Sequence, residues 1–350
     1  MAKKKQDEKI LNYTAEVRLL KQKGPGRLYF LWGVEDYLKE QYLTALKSLC
    51  LPEEDDSFSY HRLNGPDLDP RSLRDAVDAM PFLCERSFVE IRDAEFNKLT
   101  EPEECLKILE DIPDYCTVAF VQSAEFMPDG RLKFIKALRG IATELNFTKQ
   151  SQGMMTEWIA RRFSAAGKTI DLEAAQRLMF ISGELMNRLI PEIEKIAAYT
   201  KGDKVTIADV EAVANHIPEA DIFDMTDLIA QKKYNAAMGV LSELMSQKEN
   251  EPIYILAILG IQMRRLYAAK LAQEQKLGTK YVMEVCALKN DYVANMLLRA
   301  AKGYSLPQLR QAVRLCAETD YKMKSSGGDA KELLRETVLR IASGESDAQR

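Results

Sequence analysis

Histidine is almost missing from this chain: His61 and His216 are the only two among 350 residues, and they lie in unrelated regions. That scarcity supports no Ser-His-Asp or Cys-His nucleophilic centre and leaves little with which to ligate a transition metal. The cysteines Cys50, Cys84, Cys105, Cys116, Cys286 and Cys316 show no C-x-x-C pairing. Neither a zinc site nor a disulfide framework is therefore expected, and a reducing cytoplasm is the natural home. No stretch approaches the roughly 20 apolar residues of a membrane span. The opening Met-Ala-Lys-Lys-Lys-Gln-Asp-Glu-Lys has no apolar core of a signal peptide, so none is expected. Carboxylates are plentiful, but none stands as an isolated pair in an apolar context. A chain this long with no catalytic constellation is expected to work by binding.

A working phosphate loop is also absent. Such a loop needs glycine-rich backbone whose amides wrap phosphate, with a lysine and a hydroxyl for Mg²⁺. The apolar run Leu28-Tyr29-Phe30-Leu31-Trp32 closes on Gly33-Val34-Glu35-Asp36-Tyr37. This turn sets carboxylates where phosphate would sit and has no G-K-[ST]. Gly167-Lys168-Thr169 matches the last positions of a phosphate loop, but Arg162 stands where its first glycine belongs. Phe88-Val89-Glu90-Ile91-Arg92-Asp93-Ala94-Glu95 ends a strand with carboxylates, as a Mg²⁺ site does. With no phosphate cradle to complete it, these read as solvated strand-end charges.

What is present is a soluble globular composition, 46% hydrophobic and 29% charged, long enough for two or three domains. The net charge of −4 hides a division along the chain. Residues 53–129 hold 20 Asp/Glu against 7 Lys/Arg, whereas residues 253–343 hold 15 Lys/Arg against 8 Asp/Glu. An acidic front and a basic back point to different partners, the basic end being the one suited to approach nucleic acid. Scattered surface lysines on helices give the same count without any such contact.

Residues 28–146 read as α/β. Leu38, Tyr42, Ala45, Leu46 and Leu49 recur at helical spacing after the first strand. Asp67-Leu68-Asp69-Pro70 opens another helix, with Pro70 in its first turn and Leu73, Val77 and Met80 along one face. Strand-like runs return at Phe88–Ile91 and Thr117–Val121, and this alternation argues for a largely parallel sheet covered by helices. After about Lys149 the strand signals stop and helical periodicity takes over. Pro191 is placed to start a helix through Tyr199. Thr206 and Asp209 form a capping-box start, with Asp in place of the usual Glu. The expected division is an α/β domain over 1–148, a small helical domain over 149–215 and a larger helical domain over 216–350.

The most informative segment is Ala79-Met80-Pro81-Phe82-Leu83-Cys84-Glu85-Arg86. It sets Met80, Phe82 and Leu83 around a proline, which disfavours helix at the residue before it and supplies no N–H. The expected irregular turn cannot tuck every side chain inward. An apolar cluster held on a turn suits plugging a pocket on a partner. A loop folded onto its own core is the plain alternative.

In this order of modules the chain resembles the delta subunits of the bacterial DNA polymerase III clamp loader, over roughly residues 25–343. The resemblance is carried by the Leu31–Leu38 opening, by Ala79–Arg86 with the Val89 strand, and by Glu192–Tyr199. Ile222–Asp227, and Asp320–Ser325 followed by Leu333-Leu334, complete it. It implies an AAA+-like module, a parallel sheet with a degenerate phosphate loop, followed by two all-helical domains. No catalytic residue, cofactor or metal is implied for this chain, which would belong to a DNA-directed DNA polymerase (nucleotidyltransferase) holoenzyme. Carried over residue by residue, the clamp-binding positions are Met80, Pro81, Phe82 and Leu83, Pro81 shaping the turn. The implied partners are the sliding clamp (beta), the ATPase subunits (gamma/tau) and delta-prime through a C-terminal collar, and primed DNA within the complex. The expected location is cytoplasmic, at the nucleoid and replisome, with no membrane partner. No DNA-contacting residue is assigned. A helical adaptor on a similar scaffold and an active AAA+ ATPase stand as the other readings.

Overall fold

A computed structural model describes residues 10–51, 58–82, 84–325 and 328–344. The chain divides into two compact units, residues 1–157 with 184–190, and residues 158–183 with 191–350.

The first unit is α/β. Its elements run α1 (Tyr13–Lys23), β1 (Leu28–Trp32), α2 (Asp36–Cys50), β2 (Tyr60–Asn64), α3 (Pro70–Val77), β3 (Ser87–Arg92), α4 (Pro102–Glu110), β4 (Cys116–Val121), α5 (Lys133–Ile141) and β5 (Thr143–Asn146). The sheet order is β2-β3-β4-β1-β5, and every pairing is parallel. β1 and β4 are buried along their whole length, as central strands covered on both faces must be. Their apolar runs are what made them readable. β2 and β5 lie at the edges, are only partly covered, and carry mixed residues that no periodicity announces. On one face Phe96 gathers Phe30, Phe120, Phe126 and Phe134 around itself at centroid distances of 5.6 to 5.8 Å.

In the second unit the helices continue, with α6 (Gln152–Ala165) and α8 (Met186–Tyr199) divided between the two units. Two short strands, β6 (Thr169–Ile170) and β7 (Lys204–Val205), pair in parallel, so strand structure does not end at Lys149. Two residues per strand are too few to show alternation. Between and after them come α7 (Leu172–Ser182), α9 (Ile207–Val213), α10 (Pro218–Ala230), α11 (Tyr234–Ser246), α12 (Pro252–Glu274), α13 (Thr279–Val285), α14 (Asp291–Ala300), α15 (Leu306–Ser325) and α16 (Ala330–Ser343). The Thr206–Asp209 capping box is formed as expected. Around α12, helices α10, α11 and α13 to α16 build one core that includes Ile255, Leu259, Met263, Leu266, Leu309, Leu334 and Val338. No helix among the described residues is long and apolar enough to cross a membrane.

Three local expectations are corrected. Pro191 does not open α8 but lies inside it, after a first turn and a half that begins at Met186. Glu90 is not solvated. It is 3% exposed and accepts from the Tyr60 hydroxyl and from Arg92, whose guanidinium also makes a two-pronged pair with Glu40 at 2.7 and 2.9 Å. Edge strand β2 supplies Tyr60, and helix α2 supplies the Glu40 that holds Arg92 in place; neither is adjacent in sequence. Met80 does not continue the α3 face, because the helix ends at Val77 with Asp78 as its cap.

Candidate functional site

The apolar turn joins α3 to β3 and is anchored at both ends. Asp69 caps α3, accepting from the Arg71 and Ser72 amides, and Pro70 occupies the first turn, where no N–H is required. Leu73, Ala76 and Val77 are buried and lock the helix to the sheet. At the helix end the Tyr115 hydroxyl donates to the Asp78 carbonyl at 3.3 Å. On the far side Ser87 pairs with Cys116 and opens β3.

Between those anchors the side chains turn outward. Met80 is 77% and Phe82 62% exposed, while Pro81 is half-buried and Cys84 likewise. Leu83 lies outside the described residues. The Phe82 amide donates to the Ser59 hydroxyl at 3.0 Å, tying the turn to the start of β2. The ring of Phe58, itself 71% exposed, meets that of Phe82 edge-on, with centroids 6.0 Å apart. Phe58 was missed by sequence reasoning. It follows an acidic run and belongs to no apolar pattern, so only folding brings it beside Phe82. Full burial of one such aromatic side chain contributes about 1.5–3 kcal/mol. Leaving Met80, Phe82 and Phe58 together in water is therefore unfavourable in isolation and favourable once a pocket covers them.

The corner after β1 has a different character. Gly33 has φ +118, and a Cβ there would stand 2.5 Å from the Phe147 carbonyl, so glycine is required. The Glu35 amide donates to that same carbonyl and is not free to meet a phosphate. The Glu35 carboxyl is fully buried and accepts from the Met186 amide at 3.2 Å. Burial, only partly offset by that hydrogen bond, pushes its pKa up to about 7. The Lys39 ammonium reaches the Gly33 carbonyl at 3.2 Å, the Gln122 carbonyl at 2.6 Å and Asp36 at 2.6 Å. A lysine occupied by its own backbone and a buried carboxyl cannot cradle a triphosphate. The other lysine near a glycine, Lys168, bonds the Thr200 and Gly202 carbonyls at 2.8 Å each.

At the chain's basic end, Lys322 and Lys324 lie in the last turn of α15, and Lys324 pairs with Asp320 at 2.8 Å. Among the described residues, no three His, Cys, Asp or Glu side chains converge as a metal site.

Comparison with known proteins agrees with this architecture. Residues 219–341 match the family described as DNA polymerase III delta subunit, C-terminal domain. The chain is 26% identical over 326 residues to the DNA polymerase III subunit delta of Bacillus subtilis, covering 90% of this chain and 92% of that protein. It is 24% identical over 324 residues to the probable DNA polymerase III subunit delta of Aquifex aeolicus, covering 89% of each. Among solved structures, the fold matches the DNA clamp loader delta protein of Bacillus subtilis with a TM-score of 0.51 at 21% identity. That match covers 95% of this chain and 99% of that one. Over residues 219–341 the chain matches the C-terminal domain of the DNA polymerase III delta subunit, and over about nine-tenths of its length it is similar to the two delta subunits named above.

Proposed function

We propose that the chain serves the DNA polymerase III clamp loader as a non-catalytic subunit, binding the sliding clamp through its apolar turn and opening the ring for loading onto primed DNA. The observation that carries this reading is the exposed cluster of Met80 and Phe82, joined by Phe58, on a turn held between an anchored helix and a buried strand. A pre-exposed apolar plug has the composition of a binding hot spot, and the Phe82 amide bond to Ser59 limits what it must order on docking. Pro81 shapes the turn, and Leu83 belongs to the same apolar segment by sequence. A protein that holds the open ring more tightly than the closed one shifts that equilibrium without chemistry. ATP then enters through the gamma/tau subunits, which assemble with delta-prime and this chain through residues 216–350. Residues 1–148 carry the clamp-binding turn and residues 149–215 form the lid. The Lys39 and Glu35 arrangement supports this reading over an active ATPase.

The test is binding of the full chain to its cognate sliding clamp, wild type beside a Met80→Ala/Phe82→Ala variant, with thermal melts of both. Binding lost in a variant that melts normally supports the turn as the docking surface. Equal binding by both removes the site. No binding by the wild type turns the reading toward a helical adaptor with another partner.

A further inference from the structure

A cavity of about 570 Å³ opens beyond the C-terminal ends of β3 and β4, apart from the apolar turn. Open parallel sheets hold ligands in the crevice outside their strand ends. In this sheet the gap between β1 and β4 is filled by Lys39, which joins the Gly33 and Gln122 carbonyls. The gap beyond β3 and β4 stays open. Its floor is apolar, with Phe96, Phe126 and Ile135, and its rim carries Asp93, Glu95, Glu125 and Asp129, with no lysine or arginine in the lining among the described residues.

Those carboxylates are not equivalent. Glu95 pairs with Lys98 at 2.5 Å and Asp129 with Arg131 at 2.7 Å. Asp93 and Glu125 are exposed and have no ion pair among the described residues. A second observation is independent of charge: Gln122, 2% exposed, lines the cavity, and its side-chain nitrogen is buried without an acceptor among the described residues. A buried amide donor left unpaired is costly and uncommon. A metal ion does not answer the site, because no three ligating side chains converge among the described residues. A phosphate-bearing ligand is repelled by the rim.

We propose that this cavity binds a basic side chain, arginine before lysine, carried on an extended peptide segment of a protein partner. The guanidinium pairs with Asp93 and Glu125. Its planar group and stem lie against the Phe126 ring, a contact arginine makes better than lysine. An adjacent peptide carbonyl supplies the acceptor that Gln122 lacks, and an apolar neighbour covers the floor. This site uses none of the turn's residues, so it stands or falls apart from clamp binding.

The full chain is titrated with acetyl-Leu-Arg-Leu-amide and with its neutral isostere acetyl-Leu-citrulline-Leu-amide, followed by saturation-transfer NMR. The arginine probe is expected to bind saturably and the citrulline probe about tenfold more weakly, the worth of one charge-assisted contact. Asp93→Asn/Glu125→Gln is expected to weaken the arginine probe about tenfold or more. Asn tolerates the positive φ of 53 found at Asp93. Should that variant melt low, Glu125→Gln alone, at an exposed position, decides in its place. Gln122→Leu is expected to weaken both probes. Equal binding of the two probes, no saturable binding, or undiminished binding by a carboxylate variant that melts normally would each overturn the proposal.

Discussion

Phe58 and Phe82 meet edge to face at 6.0 Å although 24 positions separate them, and both rings are left largely in solvent. Edge-to-face pairs gain about 0.5–1.5 kcal/mol beyond area burial. The pair therefore favours the Phe82 orientation seen here before any partner arrives.

Under the proposed clamp-binding role, Phe58→Ala is expected to weaken clamp binding about fivefold or more through loss of this ring contact and its own contact area, with little change in melting temperature. A double-mutant cycle with Phe82→Ala measures the coupling. Strict additivity of the two losses would show that Phe58 does not act through Phe82.

Glu35 predicts an uncommon pH dependence. Its folded-state pKa is raised to about 7 from an ordinary 4.5. Between those values the native chain holds a proton that the unfolded chain has released, so stability falls as pH rises through the window. Glu35→Gln keeps an acceptor for the Met186 amide and removes the titration. Relative to the wild type it is expected to gain on the order of 3 kcal/mol between pH 4.5 and pH 7.5, read by urea unfolding at each pH. Parallel pH profiles of the two proteins would contradict the assignment.

The two histidines are expected to titrate on opposite sides of the ordinary value of 6.5. Burial lowers His61, whereas the hydrogen bond to Asp221 raises His216, burial opposing and the charges of Asp221, Asp224 and Glu211 assisting. Arg177 also faces this cluster, paired with Glu211 and Asp224. The stabilisation from His216 is fully present below the unfolded value and is lost as pH rises through the higher folded one. Imidazole NMR titration resolves the two curves. His216→Gln should lower stability at pH 5.5 and leave it nearly unchanged at pH 8.5.

Lys39→Met is expected to cost about 3 kcal/mol in urea unfolding. It strips a 2% exposed ammonium from the Gly33 and Gln122 carbonyls and from Asp36 while keeping the apolar stem. A loss below about 1 kcal/mol would show that water replaces the ammonium readily.

Much of the architecture was legible in the chain. β1 and β4 are continuous apolar runs because parallel central strands are covered on both faces. α3 announces itself through the Asp69 cap and Pro70, the second unit's helices through their period, and α9 through Thr206 and Asp209. Pro81 among large apolar residues marked the turn that leaves Met80 and Phe82 exposed. These are local signals, set by backbone sterics, capping and periodicity within a few residues.

Contacts between distant segments decided the rest. Phe58 joins Phe82, Tyr60 bonds Glu90, Glu40 holds Arg92, and Lys39 spans the ends of β1 and β4. Edge strands β2 and β5, half covered and mixed in composition, gained their identity from their neighbours. The sequence by itself determined which segments are helix, central strand and turn, because those choices are governed by neighbouring residues. Tertiary structure alone decided which charges are buried, which rings meet and where a cavity opens, because burial and pairing depend on residues that only the fold brings within reach.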